Sequence, residues 1–324
     1  MRVLVIGGTR FIGRATVDEL LRRGHEVTIF HRDASSNPFG DRVAERLGNR
    51  LDSESVRKAL GSEPFDAVVD IAYAWDARTG AREIAFVADA LRDRPERYVY
   101  LSSVSVYGEG PLPLTEESHR DPMLGAYSED KIAAEDFLFD AQRRGRFPVS
   151  IVRPPFVYGP WNNIPREAWF WDRILAGRPV IVPDDGRTLF QWAAAKDVAW
   201  ALAECLENPA AEGQALNIAE EEPLTHAAFI DRLARVAGRE VEKVPAPRKR
   251  IHELGGSSMG PRMYFGATLD AETSFSVSVD KARRLLGFRP TDPIEGLREA
   301  YAWYLANDRG RSPKFTFDKE VLGR

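Results

Sequence analysis

Tyr127 stands four positions before Lys131, a spacing that places both side chains on one face of a helix. An unperturbed tyrosine has a pKa of about 10 and is a poor base at neutral pH. A lysine ammonium one turn away, together with an oxidised nicotinamide, stabilises the phenolate and brings the phenol toward working range. Ser103, 24 residues before Tyr127, belongs to the run Ser102-Ser103-Val104-Ser105-Val106-Tyr107-Gly108, and its hydroxyl can hold a substrate oxygen while the tyrosine moves a proton. Taken alone, a tyrosine four before a lysine is a commonplace helix pair. Glu129 and Asp130 are also close enough in sequence to pair with Lys131 and blunt its effect.

Proton transfer of this kind is useful beside a hydride carrier, and the N-terminus has the residues to hold one. Gly7-Gly8-Thr9-Arg10-Phe11-Ile12-Gly13 joins a strand-like run to a helix-like one. At such a junction backbone N–H groups and the helix dipole together attract a pyrophosphate. A glycine cluster elsewhere would be weak evidence; directly after an N-terminal strand it is strong. Arg10 occupies the place of a middle glycine, and its charge suggests a phosphate contact. The second strand ends in Phe30-His31-Arg32, with no acid until Asp33 to accept hydrogen bonds from an adenine ribose. Arg32, with Arg10, can instead pair with a 2′-phosphate, so within NAD(P) the residues favour NADP.

These groups need a parallel sheet to position them. Arg2 to Ile6 reads as a buried strand, Gly7 to Gly13 as a turn, Arg14 to Arg23 as a helix stopped by Gly24, and Glu26 to Phe30 as the next strand. Ala67–Ile71, Tyr98–Leu101 and Val149–Val152 supply further strands, with helices around 54–60, 80–92 and 127–144. The pattern predicts an α/β fold with a doubly wound parallel sheet of the Rossmann type. After Arg153-Pro154-Pro155 prolines and tryptophans crowd residues 154–192 without a steady strand–helix beat, which marks a second lobe. Trp161, Trp169, Trp171 and Trp192 there read first as packing residues and second as a stacking surface. Asp197–Leu206 reads as a helix returning to the first lobe and Ala215–Ile218 as a strand. The expected division is a nucleotide-binding domain over 1–160 with returning segments at about 190–218, and a smaller interleaved substrate lobe over 161–189 and 219–324. Residues 245–275, rich in Pro, Gly and Ser and carrying the basic cluster Arg248-Lys249-Arg250, read as an ordered loop or a flap or, in preference, as a solvated loop.

Composition narrows the function classes. The 45 basic and 49 acidic side chains leave a formal charge of −4, so no global field draws the protein to nucleic acid, whose backbone rewards clustered positive charge. Cys205 is the single cysteine, which excludes an intrachain disulfide and suits a reducing cytoplasm. No apolar run reaches membrane-spanning length. His119, His226 and His252 are scattered without ligand spacing, so no metal is assigned.

Together these segments resemble the extended short-chain dehydrogenase/reductase superfamily, in its NAD-dependent epimerase/dehydratase branch. The resemblance runs from Met1 to about Leu305 and rests on the glycine turn, Ser103 five residues before Gly108, the Tyr127/Lys131 pair, Arg153 to Pro160, Lys196 to Ala199, and Ser278 to Phe288. It implies that Ser103, Tyr127 and Lys131 form a catalytic triad, that Asn49, Ala72 and Pro154 line the cofactor, and that the protein is a homodimer. The substrate-facing positions are Tyr73, Ser105, Phe156, Arg187 and Phe190. In family members acting on sugar nucleotides, an asparagine that touches the diphosphate stands where this chain has Phe156. An arginine that clamps it stands seven residues before the match to Asp197, where this chain has Phe190. Arg187 is a displaced substitute. Both phenylalanines favour a less charged substrate. The resemblance implies an NAD(P)-dependent epimerase, dehydratase or oxidoreductase acting on a hydroxyl or carbonyl carbon of a sugar-like or sugar-nucleotide substrate, with an NADPH-dependent reductase of a non-nucleotide carbonyl compound as the alternative. The Gly-Gly-Thr-Arg-Phe-Ile-Gly turn also resembles a subgroup that includes chloroplast RNA-binding proteins, which supplies a rival reading as an RNA- or partner-binding scaffold.

Overall fold

The computed structural model describes residues 1–33, 37–75, 77–91, 93, 95–122, 125–164, 166–256, 274–307 and 314–323. Two compact units share the chain: Met1–Val157, Ala195–Ala219 and Val277–Pro290 form the first, and Tyr158–Ala194, Glu220–Ser276 and Thr291–Arg324 the second.

In the first unit the elements follow in order as β1 (Arg2–Ile6), α1 (Phe11–Arg22), β2 (Glu26–His31), β3 (Ala44–Leu47), α2 (Ser53–Leu60), β4 (Ala67–Asp70), α3 (Ala81–Ala90), β5 (Arg97–Leu101), α4 (Ala126–Arg143) and β6 (Val149–Arg153). A seven-stranded parallel sheet has the order Gln214–Asn217, β6, β5, β4, β1, β2, β3. β4 and β6 are buried along their whole length, because helices cover both faces of a parallel sheet and leave no polar side. Val56, Leu60, Ile84, Val87, Ala134 and Leu138 from α2, α3 and α4 close one face over Val68, Tyr98, Tyr100 and Ile151. On the other side α1 packs against the helix Ala195–Glu207, where Arg23 bridges Glu204 and Glu207 at 2.9 and 2.6 Å. The order in which strands are added reverses between β1 and β4, so the carboxyl ends of those strands form the crevice where this fold binds ligands. The doubly wound Rossmann sheet is thus present as the sequence predicts.

β3 is an addition. Its sequence Ala-Glu-Arg-Leu has no apolar run, and as an edge strand it needs none.

The second unit holds the helices Arg166–Leu175 and His226–Ala237, with Thr225 capping the latter through Ala228 N–H at 3.1 Å. Trp169, Trp171 and Trp192 are buried in it, and Trp192 stacks on Phe229 at 4.0 Å. In the Arg166–Leu175 helix Trp169, Phe170, Trp171 and Ile174 are buried together with the charged Glu167 and Arg173, so burial there does not follow polarity. Residues 245–275 need correction where they are described. Lys243–Ala246 is a strand pairing in parallel with Val180–Pro183, and Arg248–Glu253 is a helix. Arg248 is fixed by Asp184 at 3.1 Å, and Arg250 donates to the carbonyls of Val321 and Glu320. Two of the three basic side chains therefore hold the unit together. The stretch 257–273 lies outside the described residues.

Candidate active site

At the tip of β1 the chain turns through Gly7 and Gly8 at φ of 109° and 98°, conformations that L side chains avoid. Gly7 N–H donates to Phe30 O at 2.9 Å, and Ala72 N–H donates to Ile6 O at 3.0 Å, so the ends of β1, β2 and β4 meet at this turn. A Cβ on Gly7 would sit 3.5 Å from that of Ala72, whereas one on Gly13 would lie 2.8 Å from Gly8 N. Only a bare backbone fits there. α1 begins at Phe11 rather than Arg14, with exposed Arg10 at its N-cap position, no side-chain cap and no acidic residue in its first turn. Thr9 and Ile12 are half-buried beside the turn. The N–H groups and the positive end of the helix dipole are thus not spent on a side-chain anion, and the cradle fits a dinucleotide pyrophosphate.

Around the expected ribose position the residues separate. His31 is buried at the end of β2 with Nε2 2.9 Å from Glu45 Oε1, while Arg32 is exposed. Asn49 is exposed and shapes its own turn, accepting from Leu51 N–H at 3.1 Å. Pro154 is buried, and its carbonyl accepts from Val104 N–H at 3.1 Å.

Tyr127 lies in the first turn of α4, half-buried. Its ring stacks on Trp75 at 5.1 Å and 16°, and meets Tyr73 edge-on at 4.9 Å. Lys131, one turn on, is 2% exposed; its ammonium lies 5.8 Å from the Tyr127 ring centre and 5.5 Å from that of Tyr73. It donates to Leu101 O at 2.7 Å and to Tyr100 Oη at 3.1 Å. Burial lowers its pKa to about 7 against the opposing pull of Asp70. The expected pairing of Lys131 with Glu129 and Asp130 is not what these carboxylates do. Arg78 reaches Glu129 at 2.9 Å and Asp130 at 2.6 Å, and Asp130 also accepts from Tyr73 Oη at 3.0 Å and Thr79 N–H at 3.2 Å. α4 packs against the short turn Val104–Val106. There Ser103 is half-buried, with Oγ accepting from Ser105 N–H at 3.1 Å, and Ser105 is buried with its Oγ unpartnered.

A family model described as "NAD dependent epimerase/dehydratase family" matches residues 3–219. The chain belongs to this family. An NAD(P)-dependent enzyme of the epimerase/dehydratase family is accordingly what carries this turn and this Tyr127/Lys131 pair. Over 341 residues the enzyme is 32% identical to the "Chloroplast stem-loop binding protein of 41 kDa b" of Arabidopsis thaliana, covering 100% of this chain and 84% of the relative. It is 28% identical over 313 residues to the "3-diazoavenalumate denitrifying reductase" of Streptomyces sp., covering 90% and 97%. The structure of Thermus thermophilus UDP-glucose 4-epimerase with NAD is similar at a TM-score of 0.74 and 25% identity, covering 95% and 100%.

The remaining substrate candidates of this epimerase/dehydratase-family enzyme are not alike. Phe156 is half-buried in the strand Phe156–Tyr158. Phe190 is buried within the second unit, its ring 6.0 Å from that of His226. Arg187 is 86% exposed with Nε 3.8 Å from Asp185. Sequence reasoning missed Trp75 and the buried group behind Lys131, where Arg50 binds Asp70 at 2.7 Å and Tyr98 Oη donates to the same carboxylate at 2.8 Å. Asp70 was the available signal, since an acid closing a β-branched strand has to be paired if it is buried. Among the described residues no cluster of three His, Cys, Asp or Glu fits a metal, and no helix is long and apolar enough to cross a membrane.

Proposed function

We propose that the enzyme interconverts a hydroxyl and a carbonyl on a small-molecule substrate, with Tyr127 as general acid and base, Lys131 as the charge that tunes it, and Ser103 as the group that holds the substrate oxygen. The observation that carries this reading is the burial of the Lys131 ammonium beside the Tyr127 ring. Two of its three protons are held by Leu101 O and Tyr100 Oη, and the ammonium lies 5.8 Å from the Tyr127 ring centre. A positive charge there stabilises the phenolate form of Tyr127. Ser103 Oγ receives Ser105 N–H, so its own hydrogen is available to a substrate oxygen. Bound NAD(P) supplies or accepts the hydride; the Gly7–Gly13 backbone and the N-terminus of α1 would hold its pyrophosphate, beside Ala72 and Pro154. NADP is the preferred form in this proposal, supported by exposed Arg10 and Arg32 and by the pairing of Glu45, the nearest carboxylate of β3, with His31.

The substrate is proposed to be a carbonyl compound without a nucleotide diphosphate. Phe156 and Phe190 carry no charge, and the guanidinium of Arg187 is spent in solvent near Asp185. Relatives named as reductases of 3-diazoavenalumate and 2'-dehydrokanamycin support that direction, while epimerase neighbours keep a sugar-like substrate within the proposal. The test is Tyr127→Phe. It should bind NADPH as the parent does, more tightly than NADH, yet lose about 100- to 10,000-fold in turnover, the usual worth of a positioned acid or base. Undiminished turnover would overturn the assignment.

A second reading, RNA binding, is favoured by the stem-loop-binding relative. Against it stand the charge of −4 and the structural use of Arg248 and Arg250. A gel shift with a stem-loop RNA that weakens steeply with salt would support it; none at low salt would end it.

A further inference from the structure

Trp75 is 57% exposed, and an exposed tryptophan beside a polar, reactive tyrosine calls for an explanation that an exposed leucine would not. One face of its indole lies nearly parallel to the Tyr127 ring at 5.1 Å, and Tyr73 closes its edge at 4.9 Å and 68°. The segment that carries it is fixed on both sides. Tyr73 Oη and Thr79 N–H both bind Asp130 of α4, Arg78 binds Asp130 and Glu129, and Ala74 N–H binds Thr79 Oγ1 at 3.1 Å. A side chain presented on so many backbone and side-chain anchors is pre-organised, so a ring laid against it loses little to ordering the protein.

The polar side chains that flank Trp75 in its own segment are spent: Tyr73 and Arg78 are committed to Asp130. A polyhydroxylated ring placed there would give up water for little in return, whereas a flat apolar ring would gain stacking area. We propose that Trp75 is the specificity-determining platform of the site, selecting substrates whose reacting carbonyl is attached to a planar aromatic ring. This rests on Tyr127 as the reacting acid and names the class of substrate that reaches it.

Ring selection is read by binding rather than turnover, so it can fail independently of the Tyr127→Phe test. The probes are naphthalene-2-carboxamide and its fully saturated counterpart decahydronaphthalene-2-carboxamide, which share a carbonyl that a nicotinamide does not reduce. Calorimetric titration into the NADPH-loaded full-length enzyme should show the aromatic amide bound between about 2- and 12-fold more tightly than the saturated one, the range that an aromatic contact is worth. Trp75→Ala should bring that ratio to near one, Trp75→Phe should keep most of it, and both should bind NADPH as the parent does. An unchanged ratio in Trp75→Ala, a parent that binds neither amide or prefers the saturated one, or a loss of NADPH affinity in place of ring discrimination would each overturn the proposal.

Discussion

Lys131 bears the cost of its burial. A fully buried ammonium is held on two neutral acceptors, and burial depresses its pKa from 10.5 to about 7. Because the unfolded chain keeps the higher value, it binds more protons than the folded one between about pH 7 and 10.5, and folding stability rises with pH across that window. Below pH 7 both states are protonated and the penalty is at its full size. Lys131→Met, which cannot ionise, should be most favoured relative to the parent at pH 6, and its advantage should shrink steadily toward pH 10. Urea unfolding of both proteins at several pH values checks this; a difference that stays flat would mean that Lys131 is not buried as an ammonium. The pair itself was legible, since four-residue spacing puts Tyr127 and Lys131 on one helix face. What Lys131 rests on was not, because Tyr100 and Leu101 belong to a strand 30 residues away and look like ordinary sheet residues in sequence.

At the scale of elements, the turn between β1 and α1 is the part whose sequence and geometry agree most closely. Gly13 must be bare because its Cβ would stand 2.8 Å from the Gly8 nitrogen, a backbone neighbour that cannot swing aside. Gly13→Ala should open the turn, lower stability by about 1–3 kcal/mol as overpacking does, and weaken NADPH by about tenfold or more. A fluorescence titration with NADPH measures the second effect, and parent-like affinity would show that the turn does not touch the cofactor. Elsewhere legibility followed periodicity. β1, β2, β4, β5 and β6 announce themselves by short runs rich in apolar and β-branched residues. β3 does not, because one edge row of hydrogen bonds to β2 is enough to hold Ala44–Leu47. The helix Arg166–Leu175 is hidden for another reason, since charged Glu167 and Arg173 are buried in it along with its tryptophans. The segment about residues 243–253 looked like a loop because its order comes from Asp184, Val321 and Glu320, partners that no local window contains.

The whole molecule returns its chain to the first unit twice, through Ala195–Ala219 and Val277–Pro290. In the first of these the helix Ala195–Glu207 packs on α1 and Gln214–Asn217 adds a strand to β6. Asn217 is then held by the Tyr107 hydroxyl at 2.7 Å and donates to Ser278 O at 3.2 Å. A fragment of residues 1–157 lacks all of these, leaving the apolar side of α1 and the edge of β6 uncovered. It should keep far-UV helical and strand signal but lose near-UV dichroism and bind a hydrophobic dye, the marks of a molten state; cooperative unfolding with a parent-like near-UV spectrum would contradict this. The sequence by itself determined the Rossmann sheet, the glycine turn after β1 and the family, because these depend on local period, on glycine at fixed places and on spacing along single elements. Only the tertiary structure decided the surroundings of Tyr127. The carboxylates beside Lys131 turn to Arg78, the lysine turns inward to Tyr100, and Trp75 lies on the tyrosine ring. Those choices are made by residues far apart in the chain competing for the same charges and surfaces, and such a competition is settled where they meet in space.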